Sequence, residues 1–396
     1  MSARDEILSH VRRHGSASRP ELQTALGMSR PVVAAVVRGL LTEELLTEHR
    51  GENRGGRGRP GRRLRPRYPA GAVVGADVGH RHLTVAAATL DLTIRAERRV
   101  AIDVDTRPTA ALDITADMIR QTVEEVRLTV DGPVSACVVG IPGPLDMSKR
   151  AIASPTILSS WSGLDLAAEL GSRTGLTVSL DNDANLGALA EHRHGATGHR
   201  GNLIYVKASD GIGAGLIVHG IPVNGSFGAA GEIGHTQVIP DGDWCRCGNR
   251  GCLETIVSVR QVLHQLQHFY PGDTDLRSRL PEIAHHPVAR KIFAESGRTL
   301  GRVLANLCAL LDPAAVVIGG EMSQAGEAFV DGVRDSIERL AQPGFDNRVL
   351  VVASALGTRA ELIGSLTLAR DIALRDGFRR AGDRAEADGP PGRSPL

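Results

Sequence analysis

Apolar positions in the first stretch of the chain recur at helical spacing three times. Ile7, Leu8 and Val11 give an opening helix one apolar face. Ser18-Arg19-Pro20-Glu21 has the spacing of a capping box with proline in the first turn, so it predicts a second helix carrying Leu22, Ala25 and Leu26. Gly27-Met28 makes the turn. Ser29 then caps a third helix, with Val33, Val36, Val37 and Leu40 along one side. Residues 45–48 (LLTE) read as a strand, and residues 1–50 are therefore expected to form a winged tri-helical module. Over 51–70 the pattern dissolves into Gly, Pro and Arg, as expected of a wing tip and linker.

A different rhythm begins near Ala72. Three strand-like runs (AVVGADVG, HLTVAAATL, TIRAERRVAI) precede a helix at roughly 109–127 and a strand at 134–139. Helices and strands then alternate to about 374, with strands at 203–207, 315–318 and 349–352 and a long helix around 287–311. This order predicts an α/β body over 71–375, divided into two lobes. Residues 376–396 lack an apolar period and are expected to be disordered. No run approaches the roughly 18 apolar residues of a membrane span. The opening MSARDEILSHVRRHG is charged and helical in pattern, unlike a signal peptide, so a cytoplasmic location is expected.

Charge sharpens the division. The chain has a net charge of +1, but residues 1–67 hold 14 Arg and 7 acids, giving 14 − 7 = +7, and the remainder is 32 − 38 = −6. A basic head on an acidic body points to a polyanionic partner for the head. On the third helix, Ser29, Arg30, Pro31, Ala34, Ala35 and Arg38 lie away from the valine face. The alanines are small enough to meet thymine methyls, and Arg30 and Arg38 could reach guanine edges or phosphate, so double-stranded DNA is the expected partner. Arg57-Gly58-Arg59-Pro60, in a stretch with eight arginines and one acid between Arg50 and Arg67, suits a narrow minor groove. A protein-interaction module with a solvated arginine face, and a plain linker, are the alternative readings.

Of the five cysteines, Cys137 and Cys308 sit in apolar segments and read as small core residues. Cys245, Cys247 and Cys252 crowd onto one glycine-turned loop, where thiolates in a reducing compartment need a metal to neutralise them. His235, ten residues upstream, supplies the fourth ligand for a closed, structural zinc site.

The segment CRCGNRGCLETIVS, from Cys245 to Ser258, is similar to the signature of the ROK family (repressors, open reading frames and kinases). Further similarity lies in Gly140-Ile141-Pro142-Gly143-Pro144, Asp181-Asn182-Asp183-Ala184-Asn185, Gly231-Glu232-Ile233-Gly234-His235 and Ile318-Gly319-Gly320. The head resembles that of the family's repressor branch. The resemblance implies a two-lobed, actin-like sugar-kinase architecture, a homodimer or tetramer, and a sugar or sugar-phosphate ligand. It also implies that Asp183 matches the kinase base and that Asn182, Glu232, His235 and Glu254 match residues holding other hydroxyls.

The phosphate loops depart from the kinases. His80, Arg81 and His82 replace a Gly-Gly-Thr turn, and Asp210 stands where kinases carry Thr. A carboxylate there would repel phosphate by roughly 1 kcal/mol or more. The expectation is a sugar-responsive transcriptional repressor with no catalytic residue at work. An ATP-dependent sugar kinase with an appended head, and a repressor signalled by a partner protein, are the alternatives.

Overall fold

The computed structural model describes residues 2–50, 62–146, 148, 150–154, 156–197, 201–342 and 348–387. Contacts divide the chain into two units, Met1–Ala70 and Gly71–Leu396.

The head contains α1 (Ala3–His14), β1 (Ala17–Ser18), α2 (Arg19–Leu26), α3 (Arg30–Thr42), β2 (Leu46–Arg50) and β3 (Arg62–Pro66). The Ser18 hydroxyl accepts from the Glu21 N–H and the Glu21 carboxylate accepts from the Ser18 N–H, which closes the capping box. Gly27 ends α2 at φ 63°, a left-handed conformation that costs glycine little, and α3 leaves at 120° to α2. Ile7, Val11, Leu22, Val33, Val37, Leu40 and Leu46 interlock beneath the helices.

Two expectations change here. The stretch read as wing tip and linker contains β3, which pairs antiparallel with both β1 and β2, so the head runs past residue 50. Its pattern escaped notice because Leu64 is its one core residue, set among arginines, yet it is wholly buried. Ser29 occupies the N-cap of α3, but its side chain makes no capping hydrogen bond. Arg57 and Arg59 lie outside the described residues.

The body is built from one topology used twice. The first lobe contains β4 (Ala72–Val78), β5 (His82–Thr89), β6 (Ile94–Ala101), α4 (Pro108–Arg127), β7 (Val134–Ile141), α5 (Leu166–Thr174) and β8 (Val178–Asn182). Then α6 (Asp183–His194) leads to the second lobe. That lobe contains β9 (Leu203–Ala208), β10 (Ile212–Val218), β11 (Ile221–Pro222), α7 (Glu254–Val257), α8 (Val259–Gln267), α9 (Leu280–Ile283), α10 (Pro287–Leu311), β12 (Ala315–Gly319), α11 (Glu327–Leu340) and β13 (Leu350–Ala353), before α12 (Ala360–Ala387) returns to the first sheet. The sheet orders are β6-β5-β4-β7-β8 and β11-β10-β9-β12-β13. In each, the first three strands pair antiparallel and the last two join in parallel.

Each lobe has its own aliphatic core. α6 packs on β9, β10 and α12, and α12 packs on β4 and β7. A Cβ at Gly364 would lie 2.0 Å from the Leu186 carbonyl oxygen, and one at Gly215 would lie 2.2 Å from that of Ala184. Glycine at these two positions is what lets α12 and β10 close on α6.

The expected disorder from 376 onward is corrected as far as Ala387, where α12 ends. Alanine, arginine and glutamate propagate a helix already nucleated by packing, without an apolar period. Residues 388–396 lie outside the described residues. Among the described residues no single helix is long and apolar enough to cross a membrane.

Leu64→Ala should remove about 2–5 kcal/mol from the head. Hydrogen exchange across α1 to α3 in the full chain should accelerate while exchange in the body stays unchanged. An unaltered head would show that β3 is not anchored by this side chain.

Candidate functional site

The carboxyl ends of β4, β7, β8, β9 and β12 open into one cleft, the place where parallel sheets present loops to ligands. Asn182, Asp183, Glu232, His235 and Glu254 all line it, so the structure brings the five sugar-site candidates together.

Each is fixed by its own element. Asn182, not Asp183, is the N-cap of α6: its side-chain oxygen accepts from the Asn185 N–H at 3.1 Å, and its amide donates to the Gly143 carbonyl at 3.0 Å. Asp183 is thereby free of the capping role. One of its oxygens accepts from the Ala184 N–H and the other from Lys207 Nζ at 2.7 Å. Glu254 opens α7, with Oε2 accepting from the Ile212 N–H at 3.1 Å and Oε1 paired to Arg246 at 2.9 Å. Glu232 is the N-cap and His235 the last residue of a single 3-10 turn, Ile233–His235. Burial, reinforced by the negative charge of Asp183 and Glu254, pushes the Glu232 carboxyl up to about 7. Around neutrality it can therefore donate as well as accept.

Lys207 was not anticipated. It sits in β9, 9% exposed. Burial opposes its charge, but Asp183, Asp77 and Glu361 outweigh that and hold the ammonium firmly protonated. Asp77, at the end of β4, is buried too. Burial alone would raise it, yet His82 and Lys207 hold it down to about 2. One Asp77 oxygen accepts from His82 at 2.8 Å, while the other has no hydrogen-bond partner among the described residues. A lone charge inside the apolar run LIYVKA was the available signal for Lys207. Arg246 and Arg277 carried no comparable pattern.

The second face of His235 serves another purpose. Its Nδ1 lies 3.5 Å from Cys245 Sγ, and Cys247 and Cys252 Sγ are 3.6 Å apart. Ligand atoms of all four residues fall within 4.8 Å of one another. Three thiols and an imidazole at these separations match the edges of a tetrahedron with metal–sulfur bonds of about 2.3 Å, so the four could hold one metal ion. Nε2 of the same ring faces the cleft, 3.8 Å from Glu232 Oε2. A bound ion would fix the orientation of a ring that lines the cleft.

In the head, Val33, Val37 and Leu40 face the core. Ser29, Arg30, Pro31, Ala35 and Arg38 are exposed and Ala34 is half-buried. Much of the head's charge is already committed: Arg4 pairs with Glu43, Arg62 with Glu48, Arg63 with Glu21 and Arg67 with Glu44. Arg30 and Arg38 carry no carboxylate partner among the described residues.

A duplicated α/β body with a ligand cleft at the strand ends, and a Cys/His cluster beside it, has the fold of the actin-like sugar kinases. The ROK family profile matches residues 73–372, and the chain belongs to that family. It is 27% identical over 364 residues to the xylose repressor of Bacillus spizizenii, covering 90% of this chain and 92% of that one. It is 30% identical over 282 residues to the glucokinase of Thermotoga maritima, covering 67% and 89%. Among solved structures, a ROK family transcriptional regulator described as a homologue of E. coli MLC superposes with a TM-score of 0.71 at 23% identity, over 96% of this chain and 97% of that one. A ROK glucokinase from Streptomyces griseus, in complex with glucose and AMPPNP, gives 0.65 at 29% identity, over 76% and 99%.

Metal analysis of the purified protein should find about one ion per chain, lost on Cys247→Ser. Full retention by that variant would remove these four residues as a ligand set.

Proposed function

We propose that this protein is a cytoplasmic transcriptional repressor that binds operator DNA through its head and a sugar through its body. The observation that carries the reading is the convergence of Asn182, Asp183, Glu232, His235 and Glu254 in one cleft, in a chain whose head exposes Arg30 and Arg38 on α3. The similarity to a xylose repressor extends over 90% of the chain, beyond the span of the kinase relatives. Three short helices with a 120° turn before α3, followed by an antiparallel sheet, suit a winged helix-turn-helix in which α3 enters the major groove. Arg57 and Arg59, between β2 and β3 in sequence, would serve as the minor-groove arm. Operators read this way are matched by dimers, so a homodimer or a tetramer is the assembly proposed.

In the cleft, Asp183 offers lone pairs to one sugar hydroxyl, Glu232 accepts from or donates to a second, and His235 Nε2 and Glu254 take others. Each polar contact discriminates strongly, because a buried group left unpaired is costly. Zinc is the ion proposed for the cysteine cluster; held by His235, Cys245, Cys247 and Cys252, it has no open position and supplies rigidity rather than chemistry. Sugar binding changes the DNA affinity only if it favours one arrangement of the lobes over another, and residues on both sides of the cleft provide that difference.

A sugar kinase is the second reading, favoured by Asp183 at the matching position and by the glucokinase relatives. Against it stand His80, Arg81 and Asp210, since phosphoryl transfer depends on cradling and neutralising the nucleotide phosphates. The Asp183 carboxylate is also occupied by Lys207.

The deciding experiment is operator binding, with and without each of a panel of sugars, alongside a coupled ADP-release assay. A sugar should change operator affinity without sustained turnover. Turnover at about 1–100 per second, abolished by Asp183→Asn, would establish the kinase instead.

Arg38→Ala should change which operator sequence is preferred, costing about 1–3 kcal/mol at the base it reads. Replacing Arg57 and Arg59 by Ala should make the salt dependence shallower by about one counterion per lost phosphate contact. Unchanged selectivity and an unchanged slope would remove α3 and the arm from the DNA interface.

A further inference from the structure

The residues that replace the phosphate-binding turns do more than obstruct them, because they pair with one another across the cleft. Arg81, in the turn between β4 and β5, has its guanidinium 2.6 Å from Asp103 in its own lobe and 3.6 Å from Asp210 of the other. His80 Nδ1 hydrogen-bonds Asp105 at 2.8 Å. Asp105 in turn faces Arg246 of the second lobe at 3.9 Å, and Arg246 pairs with Glu254 at 2.9 Å. The far side of the His80 ring lies over the opposite turn: a Cβ on Gly211 would be 3.3 Å from His80 Nε2. Behind these, Arg277 holds Asp210 at 2.6 Å and both oxygens of Glu321 at 2.8 Å.

We propose that Arg81–Asp210 and the chain His80–Asp105–Arg246–Glu254 form a latch between the lobes where nucleotide phosphates would otherwise bridge them, so the pocket takes an uncharged sugar and neither a nucleotide nor a sugar phosphate. The proposal rests on the sugar-binding reading and names the ligand class of that site. Charge balance supports it. At the turn end of the pocket the cationic and imidazole groups are engaged: Lys207 by Asp183, His82 by Asp77, Arg246 by Glu254, Arg81 and His80 by the acids just named. A phosphate dianion entering here would have to strip a guanidinium or ammonium from a carboxylate and leave that carboxylate unpaired. It would also meet Asp210 and Glu321, which repel it. A neutral sugar needs only hydrogen-bond partners, and those remain at the Asn182–Glu232–His235 end.

The latch is tested without ligand by a double-variant cycle on Arg81→Gln and Asp210→Asn in the full chain. Hydrogen exchange is followed in the two turns, 79–82 and 209–211. Each single variant should speed exchange roughly two- to fivefold, the scale of a partly exposed ion pair. The double variant should be slower than the product of the two single accelerations, because the Arg81–Asp210 pair is lost only once while each residue also loses the partner behind it. Additive acceleration would overturn the latch.

The ligand class is tested by titration calorimetry with D-xylose, D-glucose and N-acetyl-D-glucosamine, with the phosphate ester of each, and with Mg-ATP. At least one free sugar should bind, with its phosphate ester at least tenfold weaker and no heat from Mg-ATP. A phosphate ester that binds as tightly as its parent sugar, or any saturable binding of Mg-ATP, would overturn the proposal and leave the sugar-responsive reading standing. If neither free nor phosphorylated sugars bind, the sugar-responsive reading falls with the ligand class, and the exchange cycle still decides the latch.

Discussion

The ammonium of Lys207 is the charge around which the floor of the cleft is organised. It reaches Asp183 at 2.7 Å and lies in the field of Asp77 and Glu361. Those four residues belong to β9, α6, β4 and α12, so one buried charge ties the two sheets to the two helices that join them. Tyr205, two positions before Lys207 and wholly buried, donates its hydroxyl to Glu361 at 2.7 Å and completes the network. Removing Lys207 would leave Asp183 and Asp77 as uncompensated charge in a largely buried region, at a cost of several kcal/mol. The same arrangement orients Asp183. With one oxygen on Lys207 and the other on a backbone N–H, the carboxylate can accept from a ligand only along its remaining lone-pair directions.

Duplication of the topology explains why that charge lies where it does. Asp77 is the last residue but one of β4, and Lys207 is the last residue but one of β9. Each strand is the first of its lobe and stands at the centre of its sheet. When the two sheets face each other with their carboxyl ends together, equivalent positions meet, and here they carry opposite charges. Glycines at 215 and 364 let the connecting helices approach closely enough for this to happen. The packing constraint and the electrostatic one therefore bear on the same few ångströms of structure.

Much of this was legible in the sequence where a local rule applied. The capping box at Ser18-Arg19-Pro20-Glu21 forms as its spacing requires, and the thiols of 245–252 gather beside His235. Where a rule depended on periodicity, short or charged elements escaped it. β3 offers a single leucine among arginines and owes its strand form to pairing with β1 and β2, which no local window reveals. The end of α12 carries no apolar stripe and is helical through propensity and propagation. The duplicated sheet order left no trace in the letters, since the two lobes share a strand plan and not a motif. Long-range pairing accounts for the rest: Arg277 meets Asp210 across 67 residues, and Tyr205 meets Glu361 across 156.

The two ends of the cleft show why a set of substitutions must be read together. Taken singly, His80 and Arg81 in the turn after β4 offer positive charge, which by itself attracts an anion, and Asp210 in the opposite turn repels one. Taken together, the two charges cancel, because the arginine and the aspartate lie 3.6 Å apart and each has a further partner behind it. Without these pairs the two turns would face each other across an open gap between the lobes. Ion pairs at intermediate exposure, screened by the surrounding solvent, fill it with interactions weak enough to open. At the other end Glu232 is half-buried with no arginine or lysine against it, and burial has raised its carboxyl to about 7. A group left in that condition gains most from a neutral partner that both donates and accepts, and a sugar hydroxyl does both.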